Sequence, residues 1–201
     1  MKLFHKVISL LFHPIFAPIA GVVAYFLITP KYSPLELQSG NILPIFILTI
    51  IIPIISFFIL RNIGLINSID LPTVIERKYP LYIHLILLLM IVYKVIPNNY
   101  ILEIYFYFVG LIIATLAVLL LLFFKIKSSM HLLGMGSVFM YLVNLSVHFE
   151  INITLALSVL ILITGLVASS RLYLKAHNKM EILIGFLIGL ICQLLTVKYW
   201  L

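Results

Sequence analysis

Ile101-Leu-Glu-Ile-Tyr-Phe-Tyr-Phe-Val-Gly-Leu-Ile-Ile-Ala-Thr-Leu-Ala-Val-Leu-Leu-Leu-Leu-Phe-Phe124 runs for 24 residues with Glu103 as its one charge. A helix needs about 20 largely apolar residues to cross a hydrocarbon core of about 30 Å, so this stretch alone reads as a membrane span. The same ruler, laid outward from it, finds six more segments, some of which meet it narrowly: 3–28, 42–60, 80–96, 132–149, 151–169 and 181–200. The expectation is an all-α polytopic transmembrane helix bundle of six to seven spans, folded as one integral membrane domain over residues 1–201. Composition closes the alternative. Of the 201 residues 64% are hydrophobic and 9% charged, whereas a soluble domain averages about half apolar and a quarter charged. A soluble fold of this size cannot hide that much apolar surface from water.

The first segment holds Pro14 and Pro18, which predict a kinked or partly re-entrant helix. Lys2 and Lys6 ahead of an apolar run also resemble a secretory signal. There is no clean small-residue cleavage site and more spans follow, so the segment reads as retained. Connections at 97–100 and at Glu150 are short enough to force antiparallel hairpins. The lone cysteine, Cys192, excludes an intramolecular disulfide. Nucleic acid binding is excluded too, because the basic residues are few and sit beside apolar spans.

Sorting the loops onto two membrane faces divides the charges unequally. The face of the N-terminus and of the loops after spans two, four and six holds Lys2, Lys6, Arg61, Arg77, Lys78, Lys125, Lys127, Arg171, Lys175 and Lys179. The other holds Lys31, Lys94 and Lys198. Acidic residues do not follow: Asp70, Glu76 and Glu181 fall on the first face, Glu36, Glu103 and Glu150 on the second. The first face is therefore basic, and points to an anionic ligand.

Three segments on that face carry chemistry. The strongest is Ser170-Arg171-Leu-Tyr-Leu-Lys-Ala-His177-Asn-Lys-Met-Glu181. His177 and Glu181 are one helical turn apart, where a carboxylate can hold one imidazole nitrogen and leave the other as a nucleophile. Arg171 offers a planar fork for phosphate oxygens. The second is Lys127-Ser128-Ser129-Met130-His131, at a helix start, with His131 placed as a proton donor. The third is Glu76-Arg77-Lys78-Tyr79-Pro80, where proline suits a first helical turn.

Together these segments resemble the type 2 phosphatidic acid phosphatase superfamily, membrane relatives of the vanadium haloperoxidases, over residues 76–189. The family's third motif, Ser-Arg, five residues, His, three residues, Asp, is matched at Ser170, Arg171 and His177, with Glu181 for the aspartate. Its second, Pro-Ser-Gly-His, is matched at Ser129 and His131, with Ser128 and Met130 replacing proline and glycine. Its first, a lysine followed at fixed distance by Arg-Pro, is echoed by Arg77 and Pro80, with Lys78 or Lys127 standing for the lysine. The resemblance implies a haloperoxidase-like helical core and hydrolysis of a lipid phosphomonoester. His177 is then the nucleophile, Glu181 its orienter, and His131 the acid for the leaving alkoxide. Arg77, Lys78, Lys127, Ser129 and Arg171 hold the phosphate, and neither metal nor cofactor is required. It implies a bacterial inner membrane as well, with the site on the periplasmic leaflet, whereas the positive-inside bias puts the same loops in the cytoplasm.

Other readings stand beside this one. A catalytically degenerate member would bind lipid phosphate or serve as a subunit of a membrane complex, and membrane-protein partners or a homo-oligomer fit either case. A transporter is disfavoured because the polar groups gather at span ends. His5, His13, His84 and His148 read as interfacial or structural, with His84 one turn past Pro80 and within reach of the pocket. Gly185 and Gly189 read as close-packing residues and Asn144 as an interhelical hydrogen bonder. Tyr199 and Trp200 read as interface anchors.

Overall fold

The computed structural model describes residues 1–68 and 73–200, apart from the side chains of Val74, Asn98 and Asn99. Asp70, counted above on the basic face, lies outside the described residues. Among the described residues nine α-helices follow in order: α1 (Lys2–Leu11), α2 (Ala17–Ile28), α3 (Leu35–Phe46), α4 (Ile52–Asn62), α5 (Val74–Met90), α6 (Leu102–Phe123), α7 (Met130–His148), α8 (Thr154–Tyr173) and α9 (Lys179–Val197). Among the described residues there is no strand. A 3₁₀ turn at Pro14–Phe16 joins α1 to α2, and a π-turn at Ile47–Ile51 joins α3 to α4. Joined so, the helices make seven segments long and apolar enough to cross a membrane.

Two boundaries differ from the sequence expectation. The second segment begins at Leu35, ahead of Ile42, and carries Pro44 inside it. A proline removes one backbone donor and crowds the preceding turn, and the π-turn three residues later takes up that offset. The third begins with α5, so Pro80 sits within the helix and not in its first turn. The cause is local. Thr73-Val-Ile-Glu76 is a capping-box sequence, and the Thr73 hydroxyl accepts from the Glu76 amide at 3.2 Å.

α7 is the central helix, packed on α9, α2, α8 and α6. Its contact with α9 is backbone to backbone. A Cβ at Gly185 would strike the Ser129 carbonyl, one at Gly189 the Leu133 carbonyl, and one at Gly136 the Phe186 carbonyl. The close-packing reading of Gly185 and Gly189 therefore holds. Asn144 donates to the Gln193 carbonyl at 3.3 Å, and Gln193 in turn donates to the Tyr107 carbonyl at 3.0 Å. These buried bonds tie α7, α9 and α6 together. Trp200 departs from expectation: it is buried against Tyr141 and His148. Tyr199 stays exposed and stacks on Phe106.

Candidate functional site

The three sequence segments meet at one end of the bundle. The Ser129 amide donates to the Glu181 carbonyl at 2.9 Å, fastening the start of α7 to the start of α9. Arg77 of α5 reaches the Ser128 carbonyl at 3.4 Å.

α8 ends so as to turn the chain back on itself. The amides of Lys175 and Ala176 return to the carbonyls of Leu172 and Arg171, with Lys175 in the left-handed region at φ 54°. This is the Schellman arrangement. It brings His177 back towards Arg171 two residues later. Asn178 then caps α9, its Oδ1 accepting from the Glu181 amide at 2.9 Å. In a capping box the Glu181 carboxylate would reach the cap amide. Here it lies 2.6 Å from His177 Nδ1 instead.

That bond fixes the imidazole's chemistry. An ionised carboxylate only accepts, so Nδ1 carries the proton and Nε2 keeps its lone pair. The His177 side chain is 4% exposed. Its pKa lies below the usual histidine value, mainly because burial disfavours the cation; Arg77 and Arg171 lower it further while Glu181 opposes them. The ring is therefore neutral at neutral pH.

Span one supplies residues that the motifs do not contain. Arg171 donates to the Ser9 hydroxyl at 2.6 Å, and His131 Nε2 lies 3.0 Å from the Ser9 carbonyl and 3.2 Å from its hydroxyl. A carbonyl can only accept, so Nε2 of His131 holds its proton on Ser9 and Nδ1 is left as the exchanging nitrogen. One turn earlier, His5 Nδ1 pairs with the Ser170 hydroxyl at 3.1 Å and its ring stacks on Tyr173. His5, Ser9 and His13 stand at four-residue steps in a run that is apolar but for Lys2 and Lys6, while Leu3, Phe4, Val7, Leu10 and Leu11 are exposed. That stripe is the signal by which the sequence reading could have found them.

A cavity of about 530 Å³ opens among these groups. Arg61, Arg77, Ser128, His131, Arg171 and His177 line it, together with His13 and His84. Its remaining wall is apolar but for Thr115, whose hydroxyl donates back to the Leu111 carbonyl, and runs from Ile54, Phe57 and Phe58 of α4 to Leu111, Val118 and Leu122 of α6. Leu111 and Leu122 are eleven residues apart, so the lining runs about 16 Å along α6 at 1.5 Å per residue. Ile54 and Phe58 are exposed as well as lining, so the cavity reaches the outer surface of α4. The buried Ser128 hydroxyl on its wall makes no hydrogen bond.

Of the residues singled out in the sequence, Arg77, His131, Arg171 and His177 line this cavity and Glu181 stands directly behind His177. Lys78, Lys127 and Ser129 are not among its lining residues. Ser129 is wholly buried at the α7 and α9 junction, where its amide is used. Arg61 and His13, read as topology signal and structural histidine, do line it, and so does His84. Among the described residues no three His, Cys, Asp or Glu converge as a metal cluster. No family model matches this chain, and no curated protein or solved structure does.

Proposed function

We propose that the protein is a membrane-embedded phosphomonoesterase of the type 2 phosphatidic acid phosphatase kind, acting on a lipid phosphate. The observation that carries this reading is the His177 to Glu181 bond at 2.6 Å beside a cavity with cationic groups at one end and a deep apolar wall. An amphiphile with a phosphate head suits that division. In the proposed reaction Nε2 of His177 attacks phosphorus in line. The phosphorus to alkoxide bond breaks, and Arg77 and Arg171 meet the charge on the equatorial oxygens. His131, protonated on both nitrogens by a proton arriving with the monoanionic substrate, gives Nδ1–H to the leaving alkoxide. It returns to the tautomer held by the Ser9 carbonyl. Water then hydrolyses the phosphohistidine.

The test is inorganic phosphate release by the purified full chain from a panel of phosphatidate, phosphatidylglycerophosphate, polyprenyl and lipid A phosphates. Release should persist in excess chelator and be inhibited by vanadate. Loss in chelator, restored by a divalent ion, contradicts the mechanism. A second reading, a lipid-phosphate binder without turnover, draws support from the absence of Lys78, Lys127 and Ser129 from the cavity lining. Vanadate binding with no phosphate release from any substrate would favour it.

A further inference from the structure

Span one breaks at His13-Pro14, where the chain leaves α1 and enters the 3₁₀ turn. His13 is the cap of that turn, its Nδ1 accepting from the Ile15 amide at 3.4 Å. An amide nitrogen only donates, so Nδ1 bears the lone pair and the neutral ring carries its single proton on Nε2. The ring lies edge to face with His131, centroids 5.4 Å apart. Both rings line the cavity together with Arg77, Arg171 and His177. Of the other lining imidazoles, His177 and His131 each have one nitrogen tied by a named partner, Glu181 and Ser9, and His84 lies further along α5. His13 has its acceptor nitrogen tied instead, and so has a donor to give.

We propose that His13 is a phosphate-binding residue of this site: the break in span one presents its Nε2–H as a neutral hydrogen-bond donor to a phosphoryl oxygen, alongside the Arg171 guanidinium. This rests on the phosphate-site reading above and adds to it a contact from outside the three motif segments. A neutral donor contributes a directed bond without a further charge. It also explains why α1 is fastened to the motif end twice, through His5 with Ser170 and Ser9 with Arg171.

The experiment separates the two ring nitrogens. Asparagine reproduces the position of Nδ1 and is a good cap, whereas glutamine reproduces the position of Nε2 and caps poorly. Orthovanadate and inorganic phosphate are titrated onto wild type, His13→Asn, His13→Gln and His177→Ala, and each variant's melting midpoint is recorded. The expected result is that His13→Asn melts like wild type but binds vanadate about tenfold more weakly, the size of one lost hydrogen bond to an anion. His13→Gln should melt lower yet bind within about threefold of wild type. A merely structural His13 would give the reverse, with binding following stability in both variants, and that overturns the proposal. The wild-type protein gives an independent reading through ¹⁵N-histidine spectra. Phosphate should shift an Nε2–H resonance other than that of His131, which Ser9 holds, while the His177 proton held by Glu181 is on Nδ1; no such shift overturns the proposal whether or not the variants fold. If wild type binds vanadate but His13→Asn binds equally well, this inference fails while the phosphate site stands. If wild type binds neither probe, both fail.

Discussion

Both ends of the bundle bury charge, and they treat it differently. At the far end Glu103, almost wholly buried at the start of α6, is met by Lys31 at 2.5 Å and by His148 at 3.8 Å. Trp200 packs against His148, and Lys31 lies over the Phe149 ring. That carboxylate is closed off by its own chain. At the motif end Arg61, Arg77 and Arg171 border an open cavity, and the Glu181 carboxylate behind it is held by His177. The Ser128 hydroxyl there is buried without a partner. A buried charge that finds its counter-charge inside the fold is structural. Cations bordering an open cavity, beside a hydroxyl that makes no bond, are what the proposed phosphate site calls for.

The comparison breaks most visibly at His177. His177→Ala should reduce phosphate release by about 10⁴-fold or more, because no other group replaces the nucleophile. Its melting midpoint should stay close to wild type. Retained turnover would mean that the motif end is as structural as the far end. Arg171→Lys should cost about 10²-fold in kcat/KM, since an ammonium cannot make both the Ser9 bond and a forked phosphate contact.

Glu181→Gln is expected to cost less, about tenfold to 10²-fold in kcat, by loosening the ring without removing it. Its pH profile sharpens the assignment. Burial already lowers the His177 pKa below the ordinary value of 6.5, so the acid limb of kcat/KM should fall below that pH. Glu181 raises this pKa, so removing its charge should move the limb lower still even as the rate declines. A limb that moves up contradicts the arrangement. Stability follows the same sign. With the folded pKa lowered, this group's contribution is complete above about 6.5 and is lost as pH falls below it. The smallest effect on activity belongs to the far end: Glu103→Gln should lower the melting midpoint while leaving turnover per folded molecule within about twofold.

The spans were legible because apolar runs of this length have no other solvent, and the His177 to Glu181 pair because helical spacing alone brings those residues together. The third span starts ahead of Pro80, where its sequence pattern does not place it, since the Thr73 cap outweighs the preference of proline for a first turn. Trp200 looked like an anchor because aromatic residues at span ends usually are; its burial depends on Tyr141 and His148, far away in the chain. The contribution of span one was the largest omission. Bonds from Ser9 to Arg171 and His131 cross 162 and 122 residues, and no local pattern announces them. Yet His5, Ser9 and His13 at four-residue steps, in a segment apolar but for Lys2 and Lys6, are a readable polar face that needs a partner. Lys78 and Lys127 sit within the right segments, but adjacency in sequence did not carry them to the cavity wall.

The most direct test is to trap the covalent intermediate. Purified protein turning over a ³²P-labelled lipid phosphate is quenched in alkali, digested, and the labelled peptide identified by mass spectrometry. The expected result is an acid-labile, base-stable phosphoryl group on His177, absent from His177→Ala and accumulating in wild type at early times. Turnover without any phosphohistidine, or a label on another residue, would contradict the assignment of His177 as the nucleophile of a phosphate site.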